Sequence, residues 1–237
     1  MKTYRNTIWA AVAGAALLCA ASARGAVISF ADSEFLNADW LAFEVNDQTP
    51  NDSFSFSATQ LGAGGNPGAY RQVINELNTL VGSQIASGHL FQGGGFDPGV
   101  DGPFKSLAMS FDGISIPGNP AGAMGYGVLL EQGGDFFSHG LGQVLDGLGF
   151  AALSATGLTE ADFTPFDGGV LDLTDTGAPV SIGFFVSNGT FGQPSTNEGG
   201  VDNWSVSITT GVPEPGLAGL LGFGLFALGY LRKRRRA

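Results

Sequence analysis

The side chains able to do chemistry in this chain are mostly carboxylates. There are twenty-one Asp and Glu against ten Lys and Arg, with two histidines and one cysteine. The closest acidic pairs are Asp97 with Asp101, Glu160 with Asp162, and Asp172 with Asp175. Two carboxyls about 5–9.5 Å apart across a sugar can hydrolyse a glycosidic bond, but such partners usually sit on different strands. Spacing along the chain therefore leaves a glycoside-active enzyme open as an alternative without naming its residues. The favoured reading is that these acids cap turns and keep the surface solvated. The run Asp97-Pro98-Gly99-Val100-Asp101-Gly102 lacks the intervening Asp or Asn of a calcium-binding helix–loop–helix. No G-x-S-x-G elbow, phosphate-cradling G-x-x-x-x-G-K-[ST] loop or H-E-x-x-H zinc helix occurs. His89, expected in a strand, and His139, expected in a loop, are too far apart in sequence to make a local site. The expectation is a protein without catalysis of its own.

Two binding chemistries remain. Calcium takes hard oxygen ligands from loop carboxylates and carbonyls. Asp32 and Glu34 near the first strand, with Asp202 on the last, are the candidates, since terminal strands of a sandwich often lie side by side. A structural Ca²⁺ there should raise the melting temperature by several degrees over that in EGTA, and identical melts would remove the idea. Sugar binding calls for exposed aromatic rings with polar groups nearby. Trp204 alternates with Val206 and Ile208 and is expected in the core, as is Trp40 beside Phe43 and Val45. Tyr70, next to Arg71 after a glycine-rich turn, is the best surface candidate.

These residues must be positioned by strands, because the dominant period is two. Phe54, Phe56 and Ala58 alternate with Ser53, Ser55 and Ser57, and Leu107, Met109 and Phe111 alternate with Ser106, Ala108 and Ser110. Further strands are expected at Val27–Phe30, Trp40–Val45, Tyr70–Leu77, His89–Gln92, Gly127–Gln132, Phe150–Ala155, Val180–Ser187 and Val201–Thr209. Turns are expected at 62–68, at Gly93-Gly94-Gly95, at Asp97-Pro98-Gly99, at Asp112-Gly113 and at Asp167-Gly168-Gly169. Only 75–81 and 158–163 suggest helical turns. About ten short strands at this spacing predict an all-β antiparallel sandwich over residues 27–210.

The two ends have a different composition. Lys2 and Arg5, the apolar run Ile8 to Ala20 and Ala21-Ser22-Ala23 form a secretory signal peptide over 1–23, with Sec translocon and signal peptidase as partners. The sole cysteine, Cys19, leaves with it, so the exported body has no disulfide to form. That body carries twenty acids against Arg71 and Lys105, a net charge of about −18. It lacks the cations that neutralise phosphates, which argues against nucleic acid and anionic membranes as partners. At the other end, Val212, Pro213, Glu214 and Pro215 precede an uncharged run, 216–231, and then Arg232, Lys233, Arg234, Arg235 and Arg236. Sixteen residues make about 24 Å of helix, slightly short of a hydrocarbon core of about 30 Å, and the basic cluster marks its cytoplasmic end.

The order Pro213-Glu214-Pro215, apolar helix, arginine cluster resembles the PEP-CTERM sorting signal of exopolysaccharide-producing Gram-negative bacteria. That resemblance implies an exosortase as processing partner. It also implies an inner-membrane anchor before cleavage and a final location at the cell surface or in the extracellular matrix, in contact with polysaccharide. Within the body, Gly65-Asn66-Pro67-Gly68-Ala69-Tyr70-Arg71 and Gly200-Val201-Asp202-Asn203-Trp204-Ser205-Val206 are similar to segments of bacterial jelly-roll domains of the laminin-G-like or carbohydrate-binding kind. The expected function is an exported, non-catalytic envelope or matrix protein, with a carbohydrate-binding module as the alternative.

Overall fold

The computed structural model describes residues 26–47, 54–77, 84–120, 122–166, 168–189 and 194–211. Val27–Thr210 form one compact unit, an all-β antiparallel sandwich. Its strands are β1 (Val27–Asp32), β2 (Trp40–Asp47), β3 (Phe54–Gly65), β4 (Gly68–Leu77), β5 (Gln84–Phe96) and β6 (Phe104–Ser115). They continue with β7 (Ala123–Gln132), β8 (Asp135–Leu145), β9 (Ala151–Leu158), β10 (Thr164–Pro165), β11 (Val180–Gly189) and β12 (Ser195–Thr210). Sheet A runs β3-β4-β12-β6-β9, with β1 pairing the second half of β12, and sheet B runs β10-β8-β7-β11-β5-β2. The sorting motif Val212–Pro215, the span 216–231, the basic cluster Arg232–Arg236 and the signal segment 1–23 lie outside the described residues. Among the described residues no helix is long and apolar enough to cross a membrane.

The core between the sheets is aromatic. Trp204 and Trp40 meet edge to face at 5.1 Å, Phe91 lies 5.2 Å from Trp204, and Phe184 lies 5.1 Å from Trp40. Each such ring takes about 150–250 Å² out of water, worth several kcal/mol at about 25 cal/mol/Å². Both Trp40 and Trp204 are thus in the core, as expected. The alternation of β12 changes phase within the strand. Asn197 and Val201 are buried in its first half, Trp204, Val206 and Ile208 in its second. The change occurs at Asn203, which sits at φ 52° where the pairing with β6 shifts between Asp202 and Ser205. Such a bulge inserts an unpaired residue and turns the following side chains over.

Two expected turns are strand instead. Asp112-Gly113 lies inside β6, and Gly113 is buried there because Leu153, Tyr126 and Val144 press on the space a Cβ would take. Gly93, Gly94 and Gly95 belong to β5, where the ring of Phe91 covers Gly93 and that of Phe30 covers Gly94. Close packing rather than chain reversal calls for glycine at both places. His139, expected in a loop, lies in β8. Of the two helical stretches, 75–77 closes β4, and Glu160–Asp162 is a single 3₁₀ turn with a capping box between Thr159 and Asp162. A four-residue helix, α1 (Pro98–Asp101), is capped by Asp97.

Candidate ligand-binding face

Five of the six carboxylates weighed for catalysis accept from backbone donors. Asp97 accepts from Gly99 N at 3.0 Å, Asp101 from Asp97 N at 2.8 Å, and Glu160 from Leu173 N at 3.1 Å. Asp162 accepts from Thr159 N at 2.7 Å and Asp172 from Thr174 N at 3.0 Å. Hydrogen bonds from Thr159 and Thr174 hold the Asp162 and Asp172 carboxyls below the usual range. These are the turn and cap roles that short acidic side chains fill.

The calcium candidates are brought partly together. β1 pairs with β12 so that Asp32 lies opposite Trp204, which places Asp32 and Asp202 on neighbouring strands. Each carboxylate has its own donors. Asp32 accepts from Glu34 N at 2.8 Å, Phe35 N at 3.0 Å and Trp40 Nε1 at 2.6 Å. Asp202, fully buried, accepts from Asn66 N and from Asn203 N, the latter at 2.6 Å. Asn203 Nδ2 donates in turn to Asn66 O at 2.6 Å and to Asp112 Oδ2 at 2.8 Å. The two glycine-rich motifs of the sequence thus form one clasp. Among the described residues no group of three or more His, Cys, Asp or Glu is placed to hold a metal ion.

Tyr70 and Arg71, expected at the surface, are 6% and 2% exposed. The Tyr70 ring lies over Gly200, meets Phe150 edge to face at 5.8 Å, and has its phenol pKa raised by burial and by Glu198. Arg71 points between the sheets, donates Nε to His89 Nδ1 at 3.2 Å, and sits 5.9 Å from the Trp40 ring. Burial lowers its pKa to about 10 against the opposing pull of Asp32. A strand residue next to a turn was expected to be accessible. Instead, Gly64 and Gly200 leave room for the Tyr70 ring, and Trp40 and His89 of sheet B cover the Arg71 side chain.

The aromatic surface lies elsewhere, on the outer face of sheet B. The register puts Leu41 and Phe43 of β2, Leu90 of β5, Phe185 of β11, Leu129 of β7 and Phe136 of β8 on that one face. Phe166, after β10, joins them through its N–H to Phe136 O at 3.0 Å. All of these but Leu41 form an apolar cluster separate from the main core. Phe43 and Phe136 stack with centroids 4.8 Å apart, although β5, β11 and β7 lie between their strands. Four strand spacings would hold them roughly 19 Å apart on a flat sheet. The sheet is therefore strongly concave, and Phe43 and Phe136 close over its floor. Glycine makes that floor: the Phe185 ring occupies the Cβ space of Gly127, and Phe43, Val45 and Leu129 that of Gly88. Phe43, Phe136 and Phe166 stay half-buried and Leu41 is 52% exposed at the rim. Ser138, Ser181, Ser187 and Glu131 supply polar groups on the same face.

The outer face of sheet A is its opposite. Its shallow groove is lined largely by small residues, among them Ser29, Ala31, Ala108, Ser110, Ser154, Ser205 and Ser207. Sequence reasoning missed the sheet B face because it assigned one buried side to each strand. The signal was present in consecutive apolar residues, Trp40-Leu41-Ala42-Phe43 and Phe184-Phe185, which a strand with one wet face does not need.

No family model matches the chain, and no curated protein matches it. Among solved structures it is similar to the family 11 carbohydrate-binding module of a cellulosomal cellulase of Clostridium thermocellum, at 14% identity and a TM-score of 0.43, covering 79% of this chain and 96% of that one. The same kind of module in complex with a β-1,3-1,4-mixed-linked tetrasaccharide gives 13% identity and 0.43, over 80% and 98%. An exo-β-agarase structure gives 14% identity and 0.39, over 77% of this chain and 25% of that one. Likeness at this level assigns neither family nor ligand.

Proposed function

We propose that this chain is an exported, non-catalytic module that holds polysaccharide on the concave outer face of sheet B, presented at the envelope by its C-terminal sorting signal. The observation that carries the binding reading is the half-buried ring group Phe43, Phe136 and Phe166, set in a concave face with serines and a carboxylate around it. A sheet exposing such a face to water on one side keeps an apolar cost that a ligand with apolar C–H faces would relieve. Concave, mostly apolar surfaces with a few polar groups are where ligands bind. The route rests on the resemblance of residues 212–237 to the PEP-CTERM signal, with the exosortase, the inner membrane and the Sec machinery as partners.

Affinity electrophoresis of the exported body through gels cast with soluble polysaccharides tests the binding. Phe136→Ala should weaken the retarding interaction tenfold or more, while circular dichroism shows a folded sheet. Leu41→Asp, which places a charge at the rim without emptying the cluster, should do likewise. Unchanged retardation in both variants would remove this face as the site. Release of reducing sugar from any retarding polymer would instead support the glycoside-active reading. In cells, deleting residues 212–237 should free the chain from the membrane fraction and leave binding intact.

A further inference from the structure

Resting on that reading, we infer that the polymer taken by the concave face is uncharged, and that uronate or sulfate polysaccharides are refused. Glu131 is the charge whose position on the face is fixed by register: it lies directly across from Phe136 on β8 and from Ser181 on β11. Its Oε1 already accepts from Gly134 N at 2.9 Å, which fixes the carboxylate beside the rings. The exported body has two cations, and neither serves this face. Arg71 is 2% exposed between the sheets, its Nε given to His89. Lys105 lies on β6, in the other sheet.

An anionic polymer on this face would bring each of its charges toward Glu131, in the field of a body of about −18, with no ammonium or guanidinium to meet it. Part of that polymer's hydration would also be lost against phenylalanine, at a cost no partner offsets. A neutral pyranose chain meets neither obstacle. Its C–H faces lie on the rings, and its hydroxyls donate to Glu131 and exchange hydrogen bonds with Ser138 and Ser181. Specificity of this kind comes from what the site repels as much as from what it holds.

The test uses the exported body in native gels containing laminarin, a neutral glucan, or alginate, a polyuronate, at low and at physiological salt. Retardation by laminarin that is the same at both salts, with none by alginate at either, is the expected result. Glu131→Lys should then gain retardation by alginate at low salt and lose it as salt screens the new charge. Retardation of the wild-type body by alginate, equal to or greater than that by laminarin, would overturn the selectivity and leave the binding face standing. Retardation by neither polymer, with Glu131→Lys equally inert, would overturn the binding reading and this inference with it.

Discussion

Asp202→Ala should lower the melting temperature of the sandwich by roughly 6–12 °C, the shift that a loss of about 3 kcal/mol gives a domain of this size. The side chain is fully buried and is the acceptor for two backbone N–H groups, those of Asn66 and Asn203. Alanine removes both acceptor oxygens and leaves two part-buried donors without their partner, at about 1–3 kcal/mol each. It also releases Asn203, whose left-handed backbone at φ 52° switches the phase of β12. Trp204 is the next residue, so the aromatic core depends on that switch. Asp202→Asn keeps one acceptor oxygen and should fall between the two. Differential scanning calorimetry decides it: an Asp202→Ala melt within about 2 °C of wild type, less than 1 kcal/mol here, would show that the clasp does not hold the strand ends.

The second large effect is a loss of stability in mild acid. His89 is fully buried, stacked at 4.7 Å on Phe184, and accepts a hydrogen bond from Arg71 Nε. Burial first, and the Arg71 charge second, hold its pKa well below the ordinary imidazole value. Asp32 bears on this pair through Arg71, and Ser87 Oγ, 3.4 Å from His89 Nε2, carries no charge. In the unfolded chain the same ring takes a proton near pH 6.5. Below that pH the unfolded state binds more protons than the folded one. Stability is therefore full above about pH 6.5 and declines as pH falls, by up to about 1.4 kcal/mol per unit, until the folded pKa is reached. Urea unfolding between pH 7.5 and 5 reads the slope before most carboxylates titrate. His89→Gln, which does not titrate, should flatten it, and a variant whose curve runs parallel to wild type would place the acid sensitivity elsewhere.

The two buried cationic or titratable partners have a bearing on function as well. With Arg71 drawn inward, Lys105 is the remaining exposed cation of residues 27–210, whose twenty acids include one, Asp202, that is itself buried. Lys105 is exposed on β6, far in the topology from the ring-bearing face of sheet B. The strong acidity read in the composition is thus little offset by exposed cations, and self-repulsion of that kind keeps a protein dispersed.

Composition and period by themselves determined the class of this protein. Alternation at Leu107, Met109 and Phe111, and at Trp204, Val206 and Ile208, names strands with a buried side, because side chains on a strand can face only two ways. The acid count likewise needs no structure, and the order of motif, apolar run and basic cluster at residues 213–236 is legible as order alone. What only the tertiary structure decided is which face each ring joins and what each acid touches. Asp112-Gly113 and Gly93-Gly94-Gly95 have the local chemistry of turns, yet packing against Tyr126, Phe91 and Phe30 keeps them in strands. Tyr70 and Arg71 stand beside a turn, yet a second sheet and Gly200 bury them. Phe43 and Phe136 come from positions far apart in the chain and from strands separated by three others, and only curvature makes them neighbours. Local sequence fixes the backbone's alternation through nearest-neighbour sterics, whereas curvature and contact depend on partners distant in the chain, whose pairing no local pattern encodes.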